Sequence, residues 1–209
     1  MLGCIFAIYV DRYINTDLDV DPAELQLDLT SFVYYLDKDT GEYKVLDKLH
    51  ATENRVWVDY EDIPEYMYDA VVAIEDKRFY LHNGVDWYRT SGAFVNMFLG
   101  MRDNFGGSTL TQQLIKNLTD EDEVTVKRKI TEIFRALDFE RKYSKEDILQ
   151  WYLNLVYFSQ GAHGVQAAAQ TYFGKDVSDL TLGEAACIVG ITNLPTYYDP
   201  YINRENNKK

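Results

Sequence analysis

The chain has 209 residues, 46% hydrophobic and 14% aromatic, with 17 Tyr, 10 Phe, 12 Gly and only 4 Pro. That is about one domain's worth of chain with enough apolar residues for a sizeable core, which excludes disordered, collagen-like and Pro-rich classes. The formal charge of −13 is unevenly spread: residues 11–65 hold 15 acids against 5 bases, 66–119 hold 5 of each, and 120–209 hold 14 acids against 11 bases. A bulk nucleic-acid binder carries a basic face, so nucleic acid is set aside as a partner. The later bases cluster at Lys127-Arg128-Lys129 and Arg141-Lys142, which keeps a focused anion site in view. Cys4 and Cys187 lie in apolar runs without metal-ligand spacing and read as small hydrophobes.

Met1–Val10 is uncharged and mostly apolar, followed at once by Asp11 and Arg12. A spanning helix needs roughly 20 apolar residues, and a signal peptide needs a basic start and a small-residue cleavage site. The run therefore reads as the C-terminal part of a membrane anchor, with the acidic stretch after it on the extracytoplasmic side. Ser31–Leu36 and Glu42–Leu46 are strand-like and are joined by the turn residues 37–41, and Arg55–Tyr60 is expected as a third strand. After Pro64 the pattern turns helical. Ala70, Val71 and Ile74 fall at helical spacing, and Asp86 can cap a helix over 87–99. Thr109 with Gln112 makes a capping box, and Ser144 with Asp147 opens a helix whose buried stripe is Ile148, Leu149, Tyr152, Leu153 and Val156. Gly174 fits a C-cap, and Thr181 with Glu184 is a further capping box. The expected organisation is a partial anchor over 1–12, an acidic β element over 13–60 and a mainly helical domain over 61–209.

Three segments carry candidate chemistry. In residues 74–86 a carboxylate pair, Glu75-Asp76, follows an apolar helical run and leads through His82 to Gly84 and Asp86. Glu75 lies on a face expected to be partly buried, which suits a carboxyl to proton transfer. The plainer reading is a helix end with solvated charges. In residues 106–117 two glycines run into a hydroxyl-capped helix start, where free backbone N–H groups can face an anion. Gln112 and Lys116, four apart, are expected to share one face; an amphipathic helix with a wet polar side explains the same pattern. In residues 127–137, Ile130, Ile133, Phe134 and Leu137 form an apolar stripe, with Arg128, Glu132 and Arg135 opposite. Guanidiniums can hold that carboxylate in place, although a surface ion-pair ladder contributes little.

Taken together, in this order and spacing, the segments closely resemble the signature motifs of the peptidoglycan glycosyltransferases. These are the transglycosylase domains of class A penicillin-binding proteins and their monofunctional relatives. Glu75 to Asp86, Gly106 to Asn117 and Arg128 to Glu132 carry the first three motifs. Residues 145–174 and 184–200 look like the family's later ones. The resemblance implies a lysozyme-like, mainly α fold and an enzyme that joins lipid-linked disaccharide-peptide units (lipid II) into β-1,4 glycan. Polyprenyl pyrophosphate is released, with inversion at the anomeric carbon.

By that resemblance Glu75 is the general base. Glu132 sits in the donor subsite, and Lys116, Arg128 and Lys129 offset the pyrophosphate's charge. Ser108, Thr109, Gln112, Gln113, Tyr152 and Asn154 contact substrate, while Asp76 and His82 are architectural. A divalent cation, magnesium or manganese, at Glu75 or Glu132 is compatible with the resemblance, and no organic cofactor is implied. The apolar residues 94–101 are expected to face lipid near the active site. The sequence also departs from the family pattern. Val124 stands where a further base is usual, the chain ends at Lys209 where relatives continue into another helix, and no penicillin-binding motifs are present. A transpeptidase domain outside this chain is thus an expected partner. The rivals are a lysozyme-like peptidoglycan-cleaving enzyme, which has no need of three cations beside the carboxylate, and an inactive membrane-tethered wall-binding module.

Overall fold

The computed structural model describes residues 12, 29–49, 53–92, 107–119, 123 and 125–207. Within them the chain is mainly helical with a small antiparallel sheet near its start, the expected class. Residues group into two compact units: Val71–Tyr152, and the described parts of Gln26–Ala70 and Leu153–Lys209. Met1–Val10 and residues 94–101 lie outside the described residues. Among the described residues no helix is long and apolar enough to cross a membrane.

In the second of these units, strand β1 (Ser31–Leu36) pairs antiparallel with β2 (Tyr43–Leu49), from Ser31 opposite Leu49 to Leu36 opposite Tyr43, with a bulge between Val33 and Tyr34. The turn forms as its residues dictate. Asp37 Oδ1 accepts from Asp39 N at 2.9 Å, and Gly41 takes φ +74°. The third strand differs from expectation. Only Asn54–Arg55 (β3) is extended and paired, parallel to β4 (Ala162–His163). At Val58 the buried Asn154 side chain takes both backbone groups that a continuing strand would have paired. Val58 N donates to Asn154 Oδ1 and Asn154 Nδ2 donates to Val58 O, each at 2.9 Å.

The core of this unit comes from Ile63, Met67 and Tyr68, from Phe158, and from helices α5 (Val165–Phe173) and α6 (Leu182–Asn193). Gly174 closes α5 at φ +65°, and α6 opens on the expected Thr181–Glu184 capping box. Ser159, Gln160 and Gly161 follow one another with φ of 69°, 52° and 71°. Two of these are non-glycine residues in a costly region, and Asp199 holds them there. Ser159 Oγ and Gln160 Nε2 donate to Asp199 Oδ2 at 2.7 and 2.6 Å. Burial pushes the Asp199 carboxyl up, and the bonds from Ser159 and Gln160 outweigh that to leave it below its ordinary value.

The Val71–Tyr152 unit is built on helices α2 (Leu110–Thr119), α3 (Val126–Lys142) and α4 (Lys145–Leu155), the last of which continues past it. Helix α1 (Glu65–Glu75) supplies its final turns. Leu110, Leu114, Ile115, Ala136, Phe139, Ile148, Leu149 and Tyr152 are buried. Phe139, Tyr143 and Trp151 form an aromatic cluster with ring centroids 4.7–5.6 Å apart.

Two local readings are corrected here. Ile74 is 45% exposed, so the buried position of α1 in this unit is Val71. In α3 only Ile133 of the expected apolar stripe is buried, together with Thr131, Glu132, Arg135, Ala136 and Phe139. The polar side of α3 faces protein. Gly84 explains how closely that helix is approached: at φ +89°, a Cβ on it would lie 2.3 Å from Ala136 O.

Candidate active site

The first motif is organised by Asp76, which is fully buried just beyond the C-terminal end of α1. Its Oδ2 accepts from His82 Nε2 at 2.9 Å and from Leu110 N, the first residue of α2, at 3.1 Å. One carboxylate thereby ties the turn after Glu75 to the start of the second motif. Arg89 adds a brace that the sequence reading missed. Its Nη1 donates to Glu75 O at 3.0 Å and lies 3.5 Å from Asp76 Oδ1. The available signal was its position three residues after Asp86, whose Oδ1 caps the helical residues 87–92 by accepting from Tyr88 N and Arg89 N.

Thr109 and Gln112 make the expected reciprocal box. Thr109 N donates to Gln112 Oε1 at 2.9 Å and Gln112 N donates to Thr109 Oγ1 at 3.2 Å. Thr109 Oγ1 also donates to Gly84 O at 2.6 Å, tying the first two motifs together again. With the helix start so arranged, Gln113 projects to the first motif, where its Nε2 donates to Glu75 Oε2 at 2.7 Å. Lys116, one turn on, is exposed.

Thr125 caps α3 by accepting from Arg128 N, which fixes the helical phase of the third motif. Arg128 Nη1 donates to Glu132 Oε2 at 2.6 Å, and Lys129 Nζ pairs with Glu132 Oε1. Glu132 is only 6% exposed, so this is no surface ladder. Lys129 Nζ also donates to Ser108 Oγ at 2.8 Å. The 108–113 segment therefore touches both acids, Glu75 through Gln113 and Glu132 through Lys129 and Ser108. A carboxylate fixed by an amide, and a second neutralised by two partly buried cations, can take a proton and hold an anion respectively.

A family model described as Transglycosylase matches residues 42–209. The chain belongs to the transglycosylase family. Its enzyme class is the one that the motifs imply, peptidoglycan glycosyltransferase. The chain is 37% identical over 209 residues to penicillin-binding protein 1F of Bacillus subtilis (strain 168), covering all of this chain and 28% of that protein. It is 41% identical over 181 residues to penicillin-binding protein 1A of Clostridium botulinum (strain Langeland / NCTC 10281 / Type F), covering 85% and 21%. It is 42% identical over 164 residues to penicillin-binding protein 2D of Bacillus subtilis (strain 168), covering 78% and 24%. The chain thus spans between 21% and 28% of the length of these relatives.

Within this transglycosylase domain the expected substrate contacts differ in burial and in what they bond to. Gln112 is fully buried and its side-chain carbonyl accepts from Thr109 N in the helix cap. Asn154 is fully buried with its amide spent on Val58, and Tyr152 is 1% exposed. Gln113 bonds to Glu75, and Ser108, Arg128, Lys129 and Glu132 are joined by hydrogen bonds and ion pairs. Arg128 and Lys129 pair with the two oxygens of Glu132, the acid expected beside a divalent cation. Among the described residues no three His, Cys, Asp or Glu come together as metal ligands. Val124 lies outside the described residues.

Proposed function

We propose that this domain polymerises lipid-linked disaccharide-peptide units into β-1,4 glycan, with Glu75 as general base and Glu132 as the anchor of the donor site. The observation that carries the reading is the joint attachment of Glu75 and the Lys129–Glu132 pair to one short segment, residues 108–113. As the acceptor hydroxyl oxygen bonds to the donor's anomeric carbon, its proton passes to Glu75. The bond from that carbon to the pyrophosphate oxygen breaks on the opposite face, which inverts the centre, and the electron pair leaves on the pyrophosphate. Arg128 and Lys129 lie at Glu132, and Lys116 is exposed on α2. Their role is to meet the developing negative charge without reorganising. Gln113 keeps the Glu75 carboxylate aimed.

The lipid on the donor requires the protein to work at a bilayer, and Met1–Val10 and residues 94–101 are the apolar segments suited to that. We place the domain on the extracytoplasmic side of the plasma membrane, within a longer protein that includes a transpeptidase. The testing experiment is incubation with lipid II and Triton-type detergent. Polymer with stoichiometric polyprenyl pyrophosphate supports the reading. New reducing ends from preformed glycan indicate a cleaving enzyme, and binding without turnover indicates a wall-binding module.

A further inference from the structure

Lys145 opens α4, some distance along the chain from Glu75, yet its ammonium makes three contacts. It donates to His82 O at 2.8 Å, pairs with Glu140 Oε2 at 2.6 Å and lies 4.1 Å from the centroid of the Phe79 ring. Phe79 and His82 belong to the turn that directly follows Glu75-Asp76, and Phe79 is fully buried. Glu140 has a side chain only 3% exposed, and its other oxygen accepts from Thr111 Oγ1. Thr111 follows Leu110, whose N–H is held by Asp76, and Asp76 in turn holds His82.

The contacts close a ring: Asp76, His82, Lys145, Glu140, Thr111, Leu110 and back to Asp76. The ring runs through Asp76, which directly follows Glu75 at the end of α1, and through Leu110 and Thr111, in the first turn of α2 that bears Gln113. Burial of the ammonium pushes the Lys145 pKa down, and Glu140 opposes that. A buried ion pair is weak evidence for stability, since an apolar pair of similar volume often serves the fold as well. What an apolar pair cannot supply is the directional hold on His82 O.

We propose that Lys145, with Glu140 and Thr111, is a positioning device that sets the Glu75 carboxylate against Gln113 by pinning the 79–82 turn to α2. This rests on Glu75 being the base, as read above. Lys145 itself touches no reacting atom. A displacement of about 1 Å at a reacting group costs up to ~10²-fold in rate, so the loss belongs in kcat and not in substrate binding.

The test uses the 209-residue chain and its Lys145→Met, Lys145→Arg and Thr111→Val variants, with lipid II kinetics, thermal unfolding and amide hydrogen exchange. Lys145→Met is expected to lower kcat by on the order of tenfold or more, with KM changed less than about threefold. Lys145→Arg should recover much of the loss, because a guanidinium can reach the same oxygens. Exchange should rise at residues 79–82 and at the Leu110 N–H, and stay unchanged at Ile148–Leu153. Should Lys145→Met fail to fold, Thr111→Val carries the same expectations from the far side of the ring.

A folded variant with kcat within about twofold of the parent overturns the proposal, because correct positioning of a base is worth far more. Unchanged exchange at 79–82 and Leu110 overturns it as well, even if the parent chain polymerises nothing. An inactive parent with the expected exchange pattern refutes the proposed reaction and leaves the positioning ring standing.

Discussion

Replacing Gly84 by Ala perturbs one methyl group at the place where three motif segments meet. Gly84 has φ +89°, and the added Cβ would lie 2.3 Å from Ala136 O, 2.6 Å from Ala136 C and 3.0 Å from Leu137 N. The left-handed backbone costs an L-residue about 1–2 kcal/mol. The clash is with helix backbone, which cannot rotate away as a side chain would, so α3 must retreat; overpacking of this kind costs about 1–3 kcal/mol. The Thr109–Gly84 hydrogen bond at 2.6 Å is strained in the process, which puts a further ~1 kcal/mol at risk. The sum, about 2–6 kcal/mol, is a large part of the roughly 5–15 kcal/mol that holds a domain together. Urea unfolding of parent and variant measures it directly, and moderate temperature keeps enough variant folded to assay. Retreat of α3 also moves Lys129 and Glu132 away from Ser108, so lipid II polymerisation should fall further than the folded fraction does. A Gly84→Ala protein within about 0.5 kcal/mol of the parent, the range of neutral surface changes, would refute the close approach of α3.

Asn154→Ala should behave as a core defect. It leaves Val58 N–H and C=O without their partner, costing about 2–4 kcal/mol in unfolding, with unchanged KM in the fraction that folds. Weaker substrate binding at full stability would restore Asn154 to the substrate-binding set. The Glu184 carboxyl is held down to about 2 by Lys175, at 2.7 and 2.9 Å, and then by Thr181. Because the folded value is depressed, this stabilisation is present above the ordinary value of 4.5 and is lost as pH falls from there toward 2. The Tm advantage of the parent over Glu184→Gln should therefore be full at pH 6 and shrink steadily below pH 4.5; a gap independent of pH would contradict it.

Helix ends and caps were legible in the sequence because they are local. Thr109–Gln112, Thr181–Glu184 and Ser144–Asp147 all form as their spacing predicts. The burial of α4 along Ile148, Leu149, Tyr152 and Leu153 follows from the helical period alone. Less legible were the long-range partners of polar side chains within the motifs. Gln112 and Asn154 are internal hydrogen-bond partners of backbone groups up to 96 residues away, and periodicity carries no signal for such pairs. The phase of α3 misled for the same reason. Its polar side is buried because Glu132 brings Arg128 and Lys129 in with it, a choice set by tertiary pairing and not by hydropathy. Arg89 and Lys145 act on the first motif from 14 and 63 residues downstream of the groups they hold, which no local reading reveals.

Everything in the proposed mechanism turns on Glu75 taking the acceptor's proton. Glu75→Gln tests it with the least disturbance, since the amide oxygen can still accept from Gln113 Nε2 where Oε2 now does. The measurement is the initial rate of lipid II polymerisation by parent and variant at matched folded concentration, confirmed by thermal unfolding. Tm should be unchanged and the rate lower by ~10²–10⁴, the usual worth of a positioned base. A folded Glu75→Gln protein that keeps more than about a tenth of the parental rate would contradict it, for a base that can be dispensed with so cheaply is not the base.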